Sequence, residues 1–113
     1  TFICPGTKIN LEDHFVKSDL LKWISKLEYK SDGATGNAGE ALDHLRTIMF
    51  ARGSARPDVP HIGVIITDSR MGYLGGQEEL AKQEGITLFV VGIGDGISAV
   101  ELNQVASDPD ETH

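Results

Sequence analysis

Two uninterrupted apolar segments constrain the fold of this chain more than any other feature. Residues 61–67 read His-Ile-Gly-Val-Ile-Ile-Thr, and residues 86–91 read Ile-Thr-Leu-Phe-Val-Val. Both segments are rich in β-branched residues, and neither alternates between apolar and polar side chains. Such runs are typical of interior strands in a parallel sheet whose two faces are both covered. The sequence therefore predicts two neighbouring parallel strands with helices on both faces of the sheet.

Helical patterns occupy the intervals before, between and after these segments. Asn37 and Glu40 have the spacing of a capping box, and they predict the start of a helix. Ser98 opens a second box of this spacing, Ser18 is a candidate N-cap of an earlier helix, and residues 77–84 form a shorter helix. The apolar face predicted for the helix after Asn37 consists of Ala41, Leu42, Leu45, Ile48 and Met49. The order of elements predicts a doubly wound α/β fold with a mostly parallel sheet.

Composition restricts the class of partner. The chain has 113 residues and a net charge of −7, with 40% hydrophobic and 24% charged residues, which is typical of one globular domain. The acidic balance disfavours nucleic acid and anionic membranes as partners. No leader peptide and no apolar run of ~20 residues is recognisable. Cys4 is the only cysteine, so it cannot form an internal disulfide or a zinc site by itself. Weaker strands are predicted near residues 1–3 and 8–11.

The residues that follow the two strands are the candidate functional positions, because ligands of such sheets bind outside the carboxyl ends of the strands. Asp68 could hold a hard cation there, or it could cap the next turn through its own side chain. Gly92, Gly94 and Gly96 have the wrong spacing for a dinucleotide fingerprint and favour a tight turn. No nucleophile elbow, phosphate loop or His-x-x-x-His pair occurs, so the sequence supports no enzyme.

Five segments, in their order along the chain, resemble the von Willebrand factor type A domain of matrix collagens, matrilins and cochlin. They are residues 20–29, 33–42, 64–69, 85–94 and 101–109. The resemblance implies one partial domain over residues 1–113 that lacks the first and the last strand of the family. It also implies a secreted, extracellular module that binds collagen or another matrix protein, with or without a metal ion.

The resemblance further implies a site for Mg²⁺, or for Mn²⁺ or Ca²⁺ in its place. Asp68 matches the aspartate of the family's third metal loop, and Thr35 matches the threonine of the second loop when the alignment starts at Gly33. An alignment backward from Gly39 places Gly36 at that position instead. The first-loop motif, Asp-x-Ser-x-Ser, does not occur in the 113 residues.

Without a central strand the sheet would expose unpaired backbone groups, so a segment outside these residues or another chain of the same protein is expected to complete it. A structural spacer that binds nothing would have the same sequence features.

The alternative from another class is an intracellular nucleotide-binding or enzyme half-domain. A glycine-rich phosphate loop upstream would favour that alternative, whereas an upstream Asp-x-Ser-x-Ser would exclude it.

Overall fold

The computed structural model describes residues 16–26, 37–51 and 55–108. Cys4, Thr35 and the two weaker predicted strands lie outside these residues. The elements, in chain order, are helix α1 (Lys17–Ser25), helix α2 (Ala38–His44), a π-helical turn (Leu45–Met49), strand β1 (His61–Thr67), helix α3 (Gln77–Gln83), strand β2 (Ile86–Gly92) and helix α4 (Ala99–Val105). None of the helices in these stretches is long and apolar enough to cross a membrane.

Strands β1 and β2 are parallel neighbours. His61 lies opposite Ile86, and the pairing continues in register to Thr67 and Gly92. Helix α3 returns the chain from the carboxyl end of β1 to the amino end of β2, as a parallel pair requires. The prediction of two adjacent parallel strands is confirmed. The segments that follow Thr67 and Gly92 consequently share one edge of the sheet.

The core lies on one face of this strand pair. Leu88, at the centre of β2, is fully buried, and it packs with side chains from α2, α3 and α4. The buried cluster contains Leu42, Met71, Leu74, Ala81, Ile86, Leu88 and Val105. A Cβ atom added to Gly63 would lie only 2.9 Å from Cδ2 of Leu45, so the glycine in β1 allows the π-helical turn to pack closely on the strand.

The opposite face of β1 is apolar and exposed. Ile62, Val64 and Ile66 keep 52%, 61% and 67% of their surface accessible. In the described part of the chain, the helices that build the core pack on the other face, and α1 buries none of its residues. Among the described residues no helix covers this second face of β1, and the α/β class that the sequence predicts is confirmed by the helices and the parallel strand pair. A run that is apolar at every position marks surface that is suited to burial, but it does not specify which segment buries it.

The predicted helix caps are partly correct. Asn37 Oδ1 accepts a hydrogen bond from the Glu40 N–H at 3.1 Å, and Ser98 Oγ accepts one from the Glu101 N–H at 3.5 Å. Ser18 is not an N-cap, because α1 begins at Lys17 and its N-cap is Val16, which makes no side-chain cap. The helix starts one residue before Ser18, which places that hydroxyl inside the first turn.

A change of helical type alters the face that follows α2. The Phe50 N–H donates to the Leu45 carbonyl at 2.9 Å, which is the five-residue spacing of a π-helix. The wider turn rotates the following side chains relative to an ideal α-helix. Leu42, before the turn, is 2% exposed, whereas Ile48, within it, is 52% exposed. The prediction that Ile48 belongs to the apolar face is therefore wrong.

Candidate functional site

The carboxyl edge of the sheet holds Asp68 in the position that the sequence predicts. Asp68 directly follows β1, and it is exposed. The Ile93 N–H donates to the Thr67 carbonyl at 2.8 Å, which ties the segment after β2 to the end of β1. A Cβ atom added to Gly96 would lie 3.0 Å from the Asp68 carbonyl oxygen, so the two loops are in close contact. The contacts between the loops after β1 and β2 thus fix the backbone of Asp68 at the carboxyl edge of the sheet.

The turn at Asp68 is closed by its neighbours. The Thr67 hydroxyl donates to the Ser69 carbonyl at 2.9 Å, and the Ser69 N–H donates back to Thr67 Oγ1 at 3.3 Å. In the described part of the chain, the Asp68 carboxylate takes no part in capping this turn. Thr67, rather than Asp68, therefore closes the turn.

The donor set at this edge can be compared with the needs of different metals. No three His, Cys, Asp or Glu side chains converge on one point among the described residues. Zinc sites take three or four such side chains, and calcium sites take six to eight oxygen ligands. Mg²⁺ keeps several waters and accepts one or two carboxylates. The described residues thus offer the exposed carboxylate of Asp68 as a candidate oxygen ligand at this edge. The predicted partner ligand, Thr35, lies outside the described residues.

The Glu101 side chain, which the sequence did not identify as functional, binds the loop after Asp68. The Met71 N–H donates to Glu101 Oε2 at 2.9 Å, across 30 residues of sequence. Met71 is 5% exposed and Leu74 is 6% exposed, so both anchor the loop in the core. Glu101 is thus a positioning residue for the loop that carries Asp68. Its capping-box spacing gave the only sequence signal, and that signal concerned α4 rather than this loop.

Replacement of Glu101 by alanine is expected to lower the free energy of unfolding by about 1–3 kcal/mol, because the buried Met71 N–H would lose its acceptor. Glu101→Gln keeps an acceptor oxygen and should cost less. Urea denaturation of both variants measures the difference. An alanine variant as stable as the parent would show that this hydrogen bond does not hold the loop.

The glycines after β2 serve packing and a turn. A Cβ atom at Gly92 would lie 2.6 Å from Ile97 Cδ1 and 2.8 Å from Leu102 Cδ1, so the absence of a side chain lets α4 approach the strand. Gly94 has a φ of +83°, which favours glycine. These two roles account for Gly92 and Gly94 without a phosphate ligand. They agree with the tight turn that the spacing predicts.

The chain is similar in sequence to known proteins. The sequence model of the von Willebrand factor type A domain matches residues 5–113. The chain is 33% identical over 99 residues to matrilin-1 of Gallus gallus, with 86% of the chain and 20% of the relative covered. It is 35% identical over 99 residues to the collagen alpha-1(XII) chain of Oryctolagus cuniculus, with 86% of the chain and 15% of the relative covered.

A solved structure shares the fold. Proximal thread matrix protein 1 from the mussel byssus, with a zinc-occupied MIDAS motif, superimposes with a TM-score of 0.77 at 30% sequence identity. The match covers 87% of this chain and 26% of the mussel protein. The chain thus spans between 15% and 20% of the two curated relatives described above, and about a quarter of the solved one.

Proposed function

Because the chain belongs to the von Willebrand factor type A family, we propose that it is an extracellular module that binds collagen or another matrix protein through a divalent cation. The observation that carries this proposal is the position of Asp68, exposed at the carboxyl edge of β1 and not engaged in capping its own turn. The similarity to matrilin-1 and to a collagen XII chain supports a matrix partner. The proposal assigns binding, and no catalysis, to this edge.

In this proposal, Asp68 and the Thr35 hydroxyl supply two of the oxygen ligands. Further ligands would come from outside the 113 residues, since the first-loop motif does not occur in them. Mg²⁺ is the preferred ion, with Mn²⁺ or Ca²⁺ as replacements, and when bound it would offer a coordination position to a carboxylate of the partner. The described residues hold the Asp68 backbone in place. Thr67 closes the turn, and the Ile93 N–H fixes the end of β1.

The proposal is tested by the binding of the protein to immobilised fibrillar collagen in Mg²⁺ and in EDTA. We expect binding in Mg²⁺, loss of binding in EDTA, and recovery when Mg²⁺ is restored. Binding that is unchanged in EDTA would contradict the metal route and favour a metal-independent contact. Absence of binding to collagen and to other matrix proteins in both conditions would contradict the adhesive function and leave a structural spacer.

We further propose that additional polypeptide, from the same protein or from another chain, completes the sheet beside β1. The pairing of β1 supports this proposal: in the described part of the chain it pairs with β2 alone, so a further strand would pair the backbone N–H and C=O groups of its other edge. The expected result is rapid amide hydrogen exchange in β1 when residues 1–113 are expressed alone. Slow, cooperative protection of both strands in that fragment would show that it needs no further strand.

A further inference from the structure

An open groove of about 520 Å³ lies between α2 and the loop that leads into α3. We call it the α2 groove, and its lining includes Glu40, Asp43, Ile48, Tyr73 and Gln77. Asp68 is not among the described residues that line it.

The walls of the α2 groove are held in place by the core. A Cβ atom at Gly39 would lie 2.8 Å from the Leu74 carbonyl oxygen, so α2 and the loop before α3 are in direct backbone contact. Leu42 beneath the helix and Leu74 beneath the loop are 2% and 6% exposed. Each wall therefore has a buried anchor, and a ligand would meet a surface that is already formed.

Tyr73 is the most unusual residue of this surface. Its neighbours Met71 and Leu74 are buried, yet Tyr73 itself is 91% exposed. An aromatic side chain on an anchored loop has little backbone entropy to lose on binding, and tyrosine is enriched among the residues that dominate the energy of protein interfaces. Ile48, 52% exposed, adds apolar surface to the same groove.

The charge of the α2 groove selects its ligand. The described residues that line it include Glu40, Asp43 and His44, and none of those described is a lysine or an arginine. Asp43 Oδ1 lies 3.9 Å from Arg46 Nη1, but the same guanidinium lies closer, at 3.4 Å, to Glu84 Oε1. Glu40 forms no ion pair with any residue of the described ranges. Arg46, which is not among the described lining residues, thus partly compensates Asp43, whereas Glu40 has no ion pair in the described ranges.

The unpaired carboxylate of the α2 groove indicates the chemistry of a ligand. Glu40 is exposed and forms no ion pair among the described residues, so it favours a ligand that brings charged N–H groups. Arginine brings five such groups, and both arginine and lysine bind over the face of tyrosine.

We propose that the α2 groove binds a basic, extended peptide segment of a protein partner, with an arginine or lysine side chain over the ring of Tyr73 and its charged group directed to Glu40. The complementary charge and the exposed ring select this occupant over an acidic or an uncharged segment. The binding needs no metal ion. It therefore adds a second contact surface to the proposed adhesion function and does not depend on the first.

The probe for the test is a short blocked glycine peptide that carries two arginines, titrated in EDTA and followed by amide chemical shifts. We expect shifts confined to the residues of the α2 groove, with Glu40 and Tyr73 among them. The matched control peptide carries citrulline in place of arginine, and it should bind at least about fivefold more weakly, since a cation–π contact contributes about 1 kcal/mol. Equal binding of the two peptides would overturn the proposal, as would shifts located elsewhere.

Two variants separate a specific site from general acidity. Tyr73→Ser removes the ring from an exposed position, and Glu40→Gln removes one charge, so neither should perturb the core. We expect each to weaken binding of the arginine peptide by about fivefold. Asp58→Asn removes one charge from an exposed carboxylate outside the groove, and it should leave binding unchanged. An equal loss in the Asp58 variant would show attraction by net charge only.

Discussion

Substitution of Leu88 by alanine is expected to lower the free energy of unfolding by about 2–5 kcal/mol, which is a large part of the stability of a small domain. Leu88 is fully buried at the centre of β2, and it belongs to the one apolar cluster that joins the strand to the described helices α2, α3 and α4. Alanine would leave a cavity among groups that are held by two strands and three helices, so the site can relax only in part.

The measurement is urea denaturation followed by far-ultraviolet circular dichroism. Val100→Ala is the matched control, because Val100 is 78% exposed on α4 and its truncation removes apolar atoms without opening a cavity. We expect the control to change the stability by less than about 0.5 kcal/mol. A similar loss in both variants would contradict the assignment of Leu88 to the centre of the core.

Substitution of Asp68 by alanine should weaken Mg²⁺ binding by more than about 10- to 100-fold. That range is the loss caused by removing a residue that only hydrogen-bonds to a metal ligand, and removing the ligand itself should cost more. Binding to a matrix protein in Mg²⁺ should fall with it, because the cation is proposed to carry that contact. The fold should persist, since Asp68 is exposed and Thr67 closes the turn without it. Titration calorimetry with MgCl₂, together with the collagen assay, measures both effects.

The matched control for Asp68 is Asp95→Ala. Asp95 is also an exposed carboxylate, and it lies in the loop that follows β2 at the same edge of the sheet. If this edge attracted cations only through its charge, the two variants would lose affinity equally, and the assignment of Asp68 as a ligand would be wrong. Unchanged Mg²⁺ uptake in the Asp68 variant would contradict the metal site altogether.

The features that could be predicted from the sequence are those that depend on neighbouring residues or on long apolar runs. The caps at Asn37 and Ser98 are interactions over three residues, so the spacing alone defines them. The pairing of β1 with β2 follows from two apolar, β-branched runs separated by one helical pattern, which is the order of a β-α-β unit. The position of Asp68 at the sheet edge follows in turn, because a residue after a parallel strand lies at its carboxyl end.

The features that could not be predicted depend on contacts between distant residues. The hydrogen bond from Met71 to Glu101 spans 30 positions, and no local sequence pattern predicts it. Glu78 reads as a charged residue on a solvated helix, yet it is 5% exposed, and its Oε1 atom accepts a hydrogen bond from Gln104 of α4. The α2 groove arises in the same way, because α2 and the loop that carries Tyr73 come together only when the helix and the loop have packed.

The hydrogen bond between the Ile93 N–H and the Thr67 carbonyl has a mechanical consequence. A tensile force applied at Asp68 acts on β1, while β2 is held in the core, and this bond is one of the contacts through which β2 opposes it. β1 and β2 are paired over seven residues each, so a pull on β1 along the strand axis loads the hydrogen bonds of the whole ladder in shear together instead of breaking them one at a time. The strand pair therefore resists a pull along the strand direction best.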